Sequence, residues 1–235
     1  MAVPAAQCAA CHSSKSGLCG ALLSSCKTAG AGLLNQRFAT VRAGQQIQQS
    51  QSAEDVPILC EGWAFRYYQL PDGGRQILRF LLPGDLVFPG ALISDQPSFP
   101  AKALTDVQVS RLARAEIRRR CLSDQEVMFA VFNSLAENGR DAYLLLIALG
   151  QRPADARIAH LLLSLMQRIT AQRVITDHRY PCPLRQQHIA DAVGLTPVHV
   201  NRVLSQFRER GILTLAQGIL EVGNVPELER IGALT

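Results

Sequence analysis

LRQQHIADAVGLTPVHVNRVLSQFRERGIL, residues 184–213, contains two runs of apolar residues at helical spacing on either side of Gly194. Two short helices joined by a glycine turn are typical of a helix-turn-helix. Thr196 can cap the second helix, and Pro197 suits its first turn because the N–H group that proline lacks has no partner there. Taken alone, the pattern also fits a pair of core helices in another fold.

The residues that follow favour the winged form of this motif. Gly211 is expected to end the second helix, and ILTLAQGILEV at 212–222 predicts two strands joined at Gln217-Gly218. If the second helix buries its apolar face, its other positions can enter the major groove of DNA. The candidate DNA contacts on and beside this helix are Arg202, Asn201, Val198, His199, Thr196, Pro197, Arg185, Gln186 and Gln206.

The composition is that of a folded protein with a modest positive charge. The 235 residues, 48% of them apolar, suffice for two compact domains. The net charge is +5, and five arginines against two acidic residues between 179 and 210 match contact with phosphate groups. No segment has the pattern of a membrane span or signal peptide, so we expect a cytoplasmic protein without a membrane partner. Seven cysteines, an odd number, argue against a disulfide framework.

Four of the cysteines lie within the first 26 residues. Residues 1–30 are rich in Ala, Ser, Gly and Cys and lack the periodicity of a core helix, so we expect a flexible arm there. The pair Cys8-Ala-Ala-Cys11, followed by Cys19, has a spacing that can surround iron–sulfur or zinc, with His12 and Cys26 as further ligands nearby. A tail that binds no metal fits the same residues.

The next segment, 31–120, has the pattern of a small β domain. Strands are predicted at Ile58–Leu70, Gln76–Leu82 and Ala103–Leu112, with turns at 71–74 and 83–85. Short strands at this spacing favour an antiparallel barrel or jelly roll.

Helical spacing returns between Ser123 and Leu149, where Ser123 is the expected N-cap. Within the segment 121–150 a heptad pattern predicts a parallel homodimer helix, in which a polar residue sets the register. Packing of this helix on its own barrel is the alternative. The predicted dimer interface consists of Met128, Val131, Leu135, Asn138, Ala142, Leu145 and Leu149. Gly150–Pro153 interrupts the helix, so residues 151–235 are expected to form the DNA-binding domain.

The order of arm, barrel, long helix and winged helix-turn-helix resembles the CRP/FNR superfamily of bacterial transcription regulators, most closely its FNR/FixK branch. The resemblance rests on CAACHSSKSGLCGAL (8–22), LPDGGRQILRFLLPGDLV (70–87) and IADAVGLTPVHVNRVLSQFRERGIL (189–213). It implies an α+β fold: an N-terminal double-stranded β-helix (jelly-roll) barrel like those that bind cyclic nucleotides, a dimerisation helix and a C-terminal winged helix-turn-helix. It also implies a homodimer on a palindromic promoter site, with RNA polymerase as a further partner.

Two departures concern the ligand. In cyclic-nucleotide-binding relatives a glutamate and an arginine hold the phosphate, whereas FPGALISDQPSFPA (88–101) contains neither, so we do not expect cAMP to bind. The resemblance also implies a [4Fe–4S] cluster on Cys8, Cys11 and Cys19. Its fourth ligand position falls on Ser110, and a serine hydroxyl is a poorer cluster ligand than a thiolate. Cys26, Cys60, Cys121 and Asp106 are the alternative fourth ligands.

The third departure concerns DNA. Relatives of the FNR type contact their half-site through a Glu-x-x-Ser-Arg pattern, and Val198, Asn201 and Arg202 occupy those positions here. Arg202 can make a bidentate contact with guanine, but valine cannot accept a hydrogen bond from cytosine as glutamate does. The operator is therefore expected to differ from the FNR half-site.

The leading hypothesis is a dimeric transcription regulator that responds to oxygen, redox state or another small signal. A regulator that is constitutive or responds to another ligand without a metal is one alternative, and a zinc-binding interaction module is another. An enzyme has little support, because His160, His178, His188 and His199 do not stand in a catalytic spacing.

Overall fold

The computed structural model describes residues 17–28, 37–49, 54–94, 99–172, 175 and 177–233. Its contacts divide the chain into two compact units, Met1–Tyr68 with Phe80–Gly139 and Gln69–Arg79 with Arg140–Thr235. The predicted domain limits stay predictions; the contacts divide the chain within the long helix. In chain order the helices and strands are α1 (Gly17–Thr28), β1 (Arg37–Val41), β2 (Gln46–Ile47), β3 (Asp55–Glu61), β4 (Ala64–Gln69), β5 (Arg75–Leu81), a 3-10 helix (Pro89–Leu92), β6 (Ala101–Ala103), β7 (Val107–Ala113), α2 (Arg114–Ser123), α3 (Gln125–Gln151), α4 (Ala154–Gln172), β8 (Arg179–Pro181), α5 (Gln186–Val193), α6 (Pro197–Glu209), β9 (Leu213–Ala216), β10 (Ile219–Val222) and α7 (Val225–Gly232).

The N-terminal strands form two antiparallel sheets, in the orders β1-β7-β3 and β2-β6-β4-β5. Alternate residues of β3 and β7 enter two different apolar clusters, because successive side chains of a strand point to opposite faces. Leu59 and Val109 join residues of the second sheet, whereas Ile58 and Leu112 pack with residues of the helices. The predicted α+β fold with a β-rich cyclic-nucleotide-binding-like domain is confirmed.

Two of the predicted strands are divided in the structure. The stretch Ile58–Leu70 contains the second half of β3 and all of β4, separated at Gly62, where φ is +81°. A Cβ atom at Gly62 would lie 2.3 Å from the Asp106 carbonyl oxygen, so this turn needs glycine on both steric and conformational grounds. Ala103–Leu112 likewise contains the end of β6 and most of β7.

The expectation that residues 1–30 lack a core helix is wrong for residues 17–28, which form α1. Leu18 and Leu22 of α1 are buried in the cluster that contains Ile58, Ile117 and Val127. One helical turn separates the two leucines, so a short apolar stripe is enough once tertiary packing supports it. Residues 1–16 lie outside the described residues.

The long helix α3 begins one residue later than predicted. Ser123 ends α2, and its Oγ donates to the Arg120 carbonyl oxygen at 3.3 Å. Asp124 supplies the cap instead: its Oδ1 accepts from the Glu126 N–H at 2.9 Å and the Val127 N–H at 3.5 Å. A hydrogen bond from Ser25 of α1 is the largest of the contacts that lower the pKa of Asp124.

The second unit contains α4 to α7 and a three-stranded sheet in the order β8-β10-β9. As predicted, a new helix begins after Pro153, whose carbonyl oxygen accepts from the Arg157 N–H at 3.0 Å. Helix α7 packs closely on α4: a Cβ atom at Gly232 would lie only 2.9 Å from the Ala159 carbonyl carbon, so glycine allows this approach. Within the described ranges, none of the helices has the length and apolar character that a membrane crossing requires.

Candidate DNA interface and dimer surface

The predicted helix-turn-helix is present as α5 and α6. Gly194 ends α5 in the left-handed conformation, with φ at +64° and ψ at 43°. Both helices bury the apolar face that the spacing predicts, including Ile189 in α5 and Val200, Val203 and Phe207 in α6. Leu204, which belongs to the same predicted face, is half-buried.

The first turn of α6 is capped as predicted. Thr196 Oγ1 accepts from the His199 N–H at 3.2 Å, and Pro197 is the first helical residue. At the start of α5, the Arg185 N–H donates to His188 Nδ1 at 3.1 Å. The N-terminal end of α6 therefore has a defined cap, and Thr196, itself one of the candidate DNA contacts, supplies it.

Eight of the nine predicted DNA contacts are exposed, and Pro197 is half-buried. Val198 has 80% of its surface exposed, near the start of α6. Gln186 Nε2 donates to Asn201 Oδ1 at 2.8 Å, which joins the first turn of α5 to α6. The structure thus brings a backbone-positioning candidate and a base-contact candidate together, a contact that sequence spacing did not reveal.

The five arginines between residues 179 and 210 are all exposed, and two of them are paired with acidic residues. Arg179 lies 3.7 Å from a Glu221 oxygen, and Arg210 donates to Glu227 at 2.5 Å. Within the described residues, Arg185, Arg202 and Arg208 form no salt bridge, so their charges are available to phosphate groups.

The predicted wing is confirmed as the hairpin β9–β10. Gln217 and Gly218 at its tip have φ angles of +51° and +77°. Two successive residues with positive φ give the tight turn that matches the twist of paired strands. Strand β8, which no sequence pattern predicted, pairs with β10 through Tyr180 and Leu220 and widens this sheet.

Cys182 is a buried residue beside this sheet, and its N–H donates to the Gly218 carbonyl oxygen at 2.7 Å. Burial raises the pKa of its thiol to about 12. The thiolate is the reactive form of cysteine, so a maleimide pulse on native protein is expected to leave Cys182 unmodified. Peptide mass mapping after pulses with and without denaturant measures this, and equal labelling in both would contradict it.

The candidate metal ligands that the structure describes lie in different settings. Cys19 and Cys121 are half-buried at the edge of the cluster beneath α1, and the Cys60 thiol donates to the Ile58 carbonyl oxygen at 3.7 Å. Asp106 Oδ1 accepts from the Ala43 N–H at 2.8 Å. Within the described ranges no three His, Cys, Asp or Glu residues form a metal site.

Ser110, one of the five candidates for a fourth ligand, is buried between Phe38 and Ile58 of the neighbouring strands. Within the part of the chain that the structure describes, its Oγ has no hydrogen-bond partner, and this apolar setting supplies a hydroxyl where a cluster needs a thiolate. The described residues alone therefore do not fit a [4Fe–4S] cluster. Cys8, Cys11 and His12 lie outside the described residues, as does the side chain of Cys26, and the cluster stays a prediction.

The segment that replaces the phosphate-binding loop is apolar and already held by arginines of α2. Pro89, Ala91 and Leu92 are buried in the 3-10 helix. Arg118 donates to the carbonyl oxygens of Leu92 at 3.0 Å and Ile93 at 3.1 Å. These arginine contacts anchor the segment to α2. The expectation that cAMP does not bind stays a prediction.

The exposed face of α3 is not the face predicted for the dimer. Of the seven predicted residues, six are half-buried and Ala142 is exposed. Asn138 donates to the Ser134 carbonyl oxygen at 2.7 Å and accepts from Arg66 of its own chain. A second heptad pattern, which we call the α3 stripe, is exposed at each of its positions: Phe129, Phe132, Ala136, Gly139, Tyr143, Leu146 and Gly150.

Comparison with known proteins gives a consistent family. A cyclic nucleotide-binding domain model matches residues 33–124, and a Crp-like helix-turn-helix domain model matches 156–231. The chain is 33% identical over 190 residues to the nitrogen fixation regulation protein FixK of Bradyrhizobium diazoefficiens, an alignment that covers 77% of each protein. It is 32% identical to the transcriptional activatory protein AadR of Rhodopseudomonas palustris over 74% of this chain and 72% of that one.

The structure of FixK2 from Bradyrhizobium japonicum covers 86% of this chain and is itself covered completely, with a TM-score of 0.74 and 27% identity. These relatives are regulators by name, and the matched domains include the helix-turn-helix described above. The chain therefore belongs to the CRP/FNR family of DNA-binding transcription regulators, in its FixK-like branch.

Proposed function

We propose that this protein binds a palindromic promoter site as a homodimer and places α6 of each protomer in a major-groove half-site. The observation that carries the proposal is the exposed N-terminal part of α6, where Val198, Asn201 and Arg202 share one surface. A helix of this kind contacts base edges through its first turns. Arg185 and Arg208, which form no salt bridge with any residue that the structure describes, supply contacts to the DNA backbone.

Each side chain has a distinct role in this proposal. Arg202 donates two hydrogen bonds to guanine, and Val198 packs against a thymine methyl group. Asn201, oriented by Gln186, contacts adenine or a phosphate group. His199 and Thr196 lie at the start of the helix, where contacts to the DNA backbone set the register.

The dimer forms through the α3 stripe. Its positions alternate steps of three and four residues, the spacing that keeps one face of a helix against a parallel partner. Four of its seven residues, Phe129, Phe132, Tyr143 and Leu146, are large apolar side chains that are 59% to 70% exposed in one protomer. This proposal replaces the face centred on Asn138, which its own unit already contacts.

The test is selection of binding sites from random DNA with the purified full-length protein. The expected result is a twofold-symmetric site whose half-sites are about one helical turn apart, roughly 10 base pairs. Guanine should recur at one position of each half-site, opposite Arg202. Failure to enrich any sequence, or enrichment of a single unpaired half-site, would contradict the proposal.

A response to oxygen or redox state is the second proposal, and α1 favours it. This helix carries Cys19 and, through Ser25, contacts the residue that caps α3. A chemical change in the arm can therefore reach the start of the proposed dimer helix. In this proposal the regulator also contacts RNA polymerase, as suggested by the relative named as a transcriptional activatory protein.

Replacing Cys8 and Cys11 by alanine is expected to abolish any dependence of operator binding on oxygen, because two of the three proposed arm thiolates are lost. Operator affinity is measured for wild-type and variant protein prepared anaerobically and then exposed to air, with absorption spectra and metal analysis. Iron with sulfide indicates a cluster, zinc an interaction module, and no metal a regulator without it. An oxygen response that persists in the variant would place the sensor elsewhere.

A further inference from the structure

The strand β5 contacts the first helix of the helix-turn-helix through a nearly buried ion pair. Arg75 Nε donates to Asp191 Oδ2 at 2.8 Å, and Arg75 Nη2 contacts the same oxygen. Gln187 Nε2 donates to the other carboxylate oxygen, Oδ1, at 2.6 Å. The Asp191 side chain is only 10% exposed, and both partners belong to the second unit. An acidic group this buried needs its donors, because an unpaired buried charge is strongly unfavourable.

The residues beside this pair hold the last carbonyl groups of α5. Gln76 Nε2 donates to the Ala192 carbonyl oxygen at 3.0 Å, and Arg157 Nη1 donates to that of Val193 at 3.4 Å. Carbonyl groups in the last turn of a helix have no partner within the helix, and the helix dipole makes this end negative. The carboxylate of Asp191 adds to that negative charge, so the guanidinium groups of Arg75 and Arg157 compensate for it.

The same strand is attached to the long helix. Arg79, a buried residue of β5, forms an ion pair with Asp141 of α3. At the opposite end of α5, Gln186 is bonded to Asn201 of α6. Helix α5 is thus held at both ends, by β5 at its C-terminus and by α6 at its N-terminus.

We infer that Arg75 and Gln76 are positioning residues for DNA recognition. By holding the C-terminal end of α5, they set the orientation of α6, because the short turn at Gly194 joins the two helices. The inference rests on the proposed function. Positioning rather than inhibition is indicated because Val198, Asn201 and Arg202 are all exposed while these contacts are formed. Arg75 and Gln76 themselves need no contact with DNA in this role.

Operator affinity of the full-length protein tests the inference with Arg75→Ala, Asp191→Asn and the double variant. Each single variant should weaken specific binding about tenfold, within the range of typical coupling between sites. The double variant should bind no more weakly than either single variant, because all three remove one contact. Arg75→Lys should restore part of the affinity, since it keeps the charge.

The dependence of affinity on salt separates positioning from direct contact. If Arg75 contacted a phosphate group directly, Arg75→Ala would reduce the steepness of the plot of log affinity against log salt concentration by about one. Asp191→Asn would then strengthen binding, because it removes a negative charge beside the DNA. Positioning predicts an unchanged slope and a weakening in both variants. Tighter binding in either single variant would indicate inhibition, and any of these contrary results would overturn the inference.

Arg42→Ala is the control for the loss of one arginine charge, because Arg42 is exposed in the turn between β1 and β2. It should leave operator affinity unchanged. Operator affinity is measured well below the unfolding midpoint of each variant, so that all variants are folded. A loss of affinity that is explained entirely by the unfolded fraction would contradict positioning. Wild-type protein that binds no selected operator would contradict the proposed function, whereas normal binding by both single variants would contradict this inference alone.

Discussion

Replacing both Phe132 and Leu146 by glutamate is expected to leave the protein monomeric and to remove its binding to a full palindromic operator. These side chains are 59% and 68% exposed in one protomer, at two positions of the α3 stripe. In the proposed dimer they are buried against the partner helix, where an uncompensated carboxylate costs several kcal/mol. Sedimentation or light scattering measures the mass, and operator binding is measured on the same samples.

Ile93→Glu is the matched control for this prediction, because Ile93 is also 68% exposed but lies after the 3-10 helix, away from the stripe. It should remain dimeric. Ala142→Glu places a charge on the exposed member of the face predicted from sequence, and it too should remain dimeric. A monomeric Ala142→Glu protein, together with a dimeric Phe132→Glu/Leu146→Glu protein, would favour the face centred on Asn138 instead.

Replacing Arg202 by alanine is expected to weaken specific operator binding by about 1–3 kcal/mol, or about 5- to 150-fold, and to leave the dimer intact. The side chain is exposed on α6 and forms no salt bridge within the described residues, so its removal leaves the fold undisturbed. Competition between the selected operator and variants with one changed base pair measures the effect. The preference for guanine at one position of each half-site should disappear.

Arg208→Ala is the control for this substitution. Arg208 lies in the last turn of α6, where it is exposed and forms no salt bridge with the described residues. Its replacement by alanine removes the same charge as Arg202→Ala. Its loss should weaken binding about equally for all sequences and lower the salt slope by about one. An equal effect of both substitutions on every sequence would show that Arg202 contacts only the backbone.

The features that sequence reasoning predicted well are those encoded by neighbours in the chain. Thr196 caps α6 through a residue three positions away, and Gln217 with Gly218 makes the turn of the wing. The predicted N-cap of α3, Ser123, lies one residue before the observed cap, Asp124, because both residue types can cap a helix. Only the end of α2 at Ser123 decides between them.

Features that depend on distant contacts could not be predicted from local patterns. The composition of residues 17–28 hides a helix whose stability comes from burying two leucines against the barrel. The heptad on α3 fits two registers equally well by spacing. Arg66, 72 positions from Asn138, occupies one of those faces and leaves the other exposed.

The helix-turn-helix, its wing, the β-rich domain and the break at Pro153 could be predicted from local patterns, because apolar periodicity, caps and turn residues act over a few positions. The same patterns identified Arg202 as a candidate for guanine contact. The exposed face of α3 and the ion pair between Arg75 and Asp191, which are 116 positions apart, are visible only in the folded chain. Such contacts arise from the way the strands and helices pack, and no local pattern of residues specifies them.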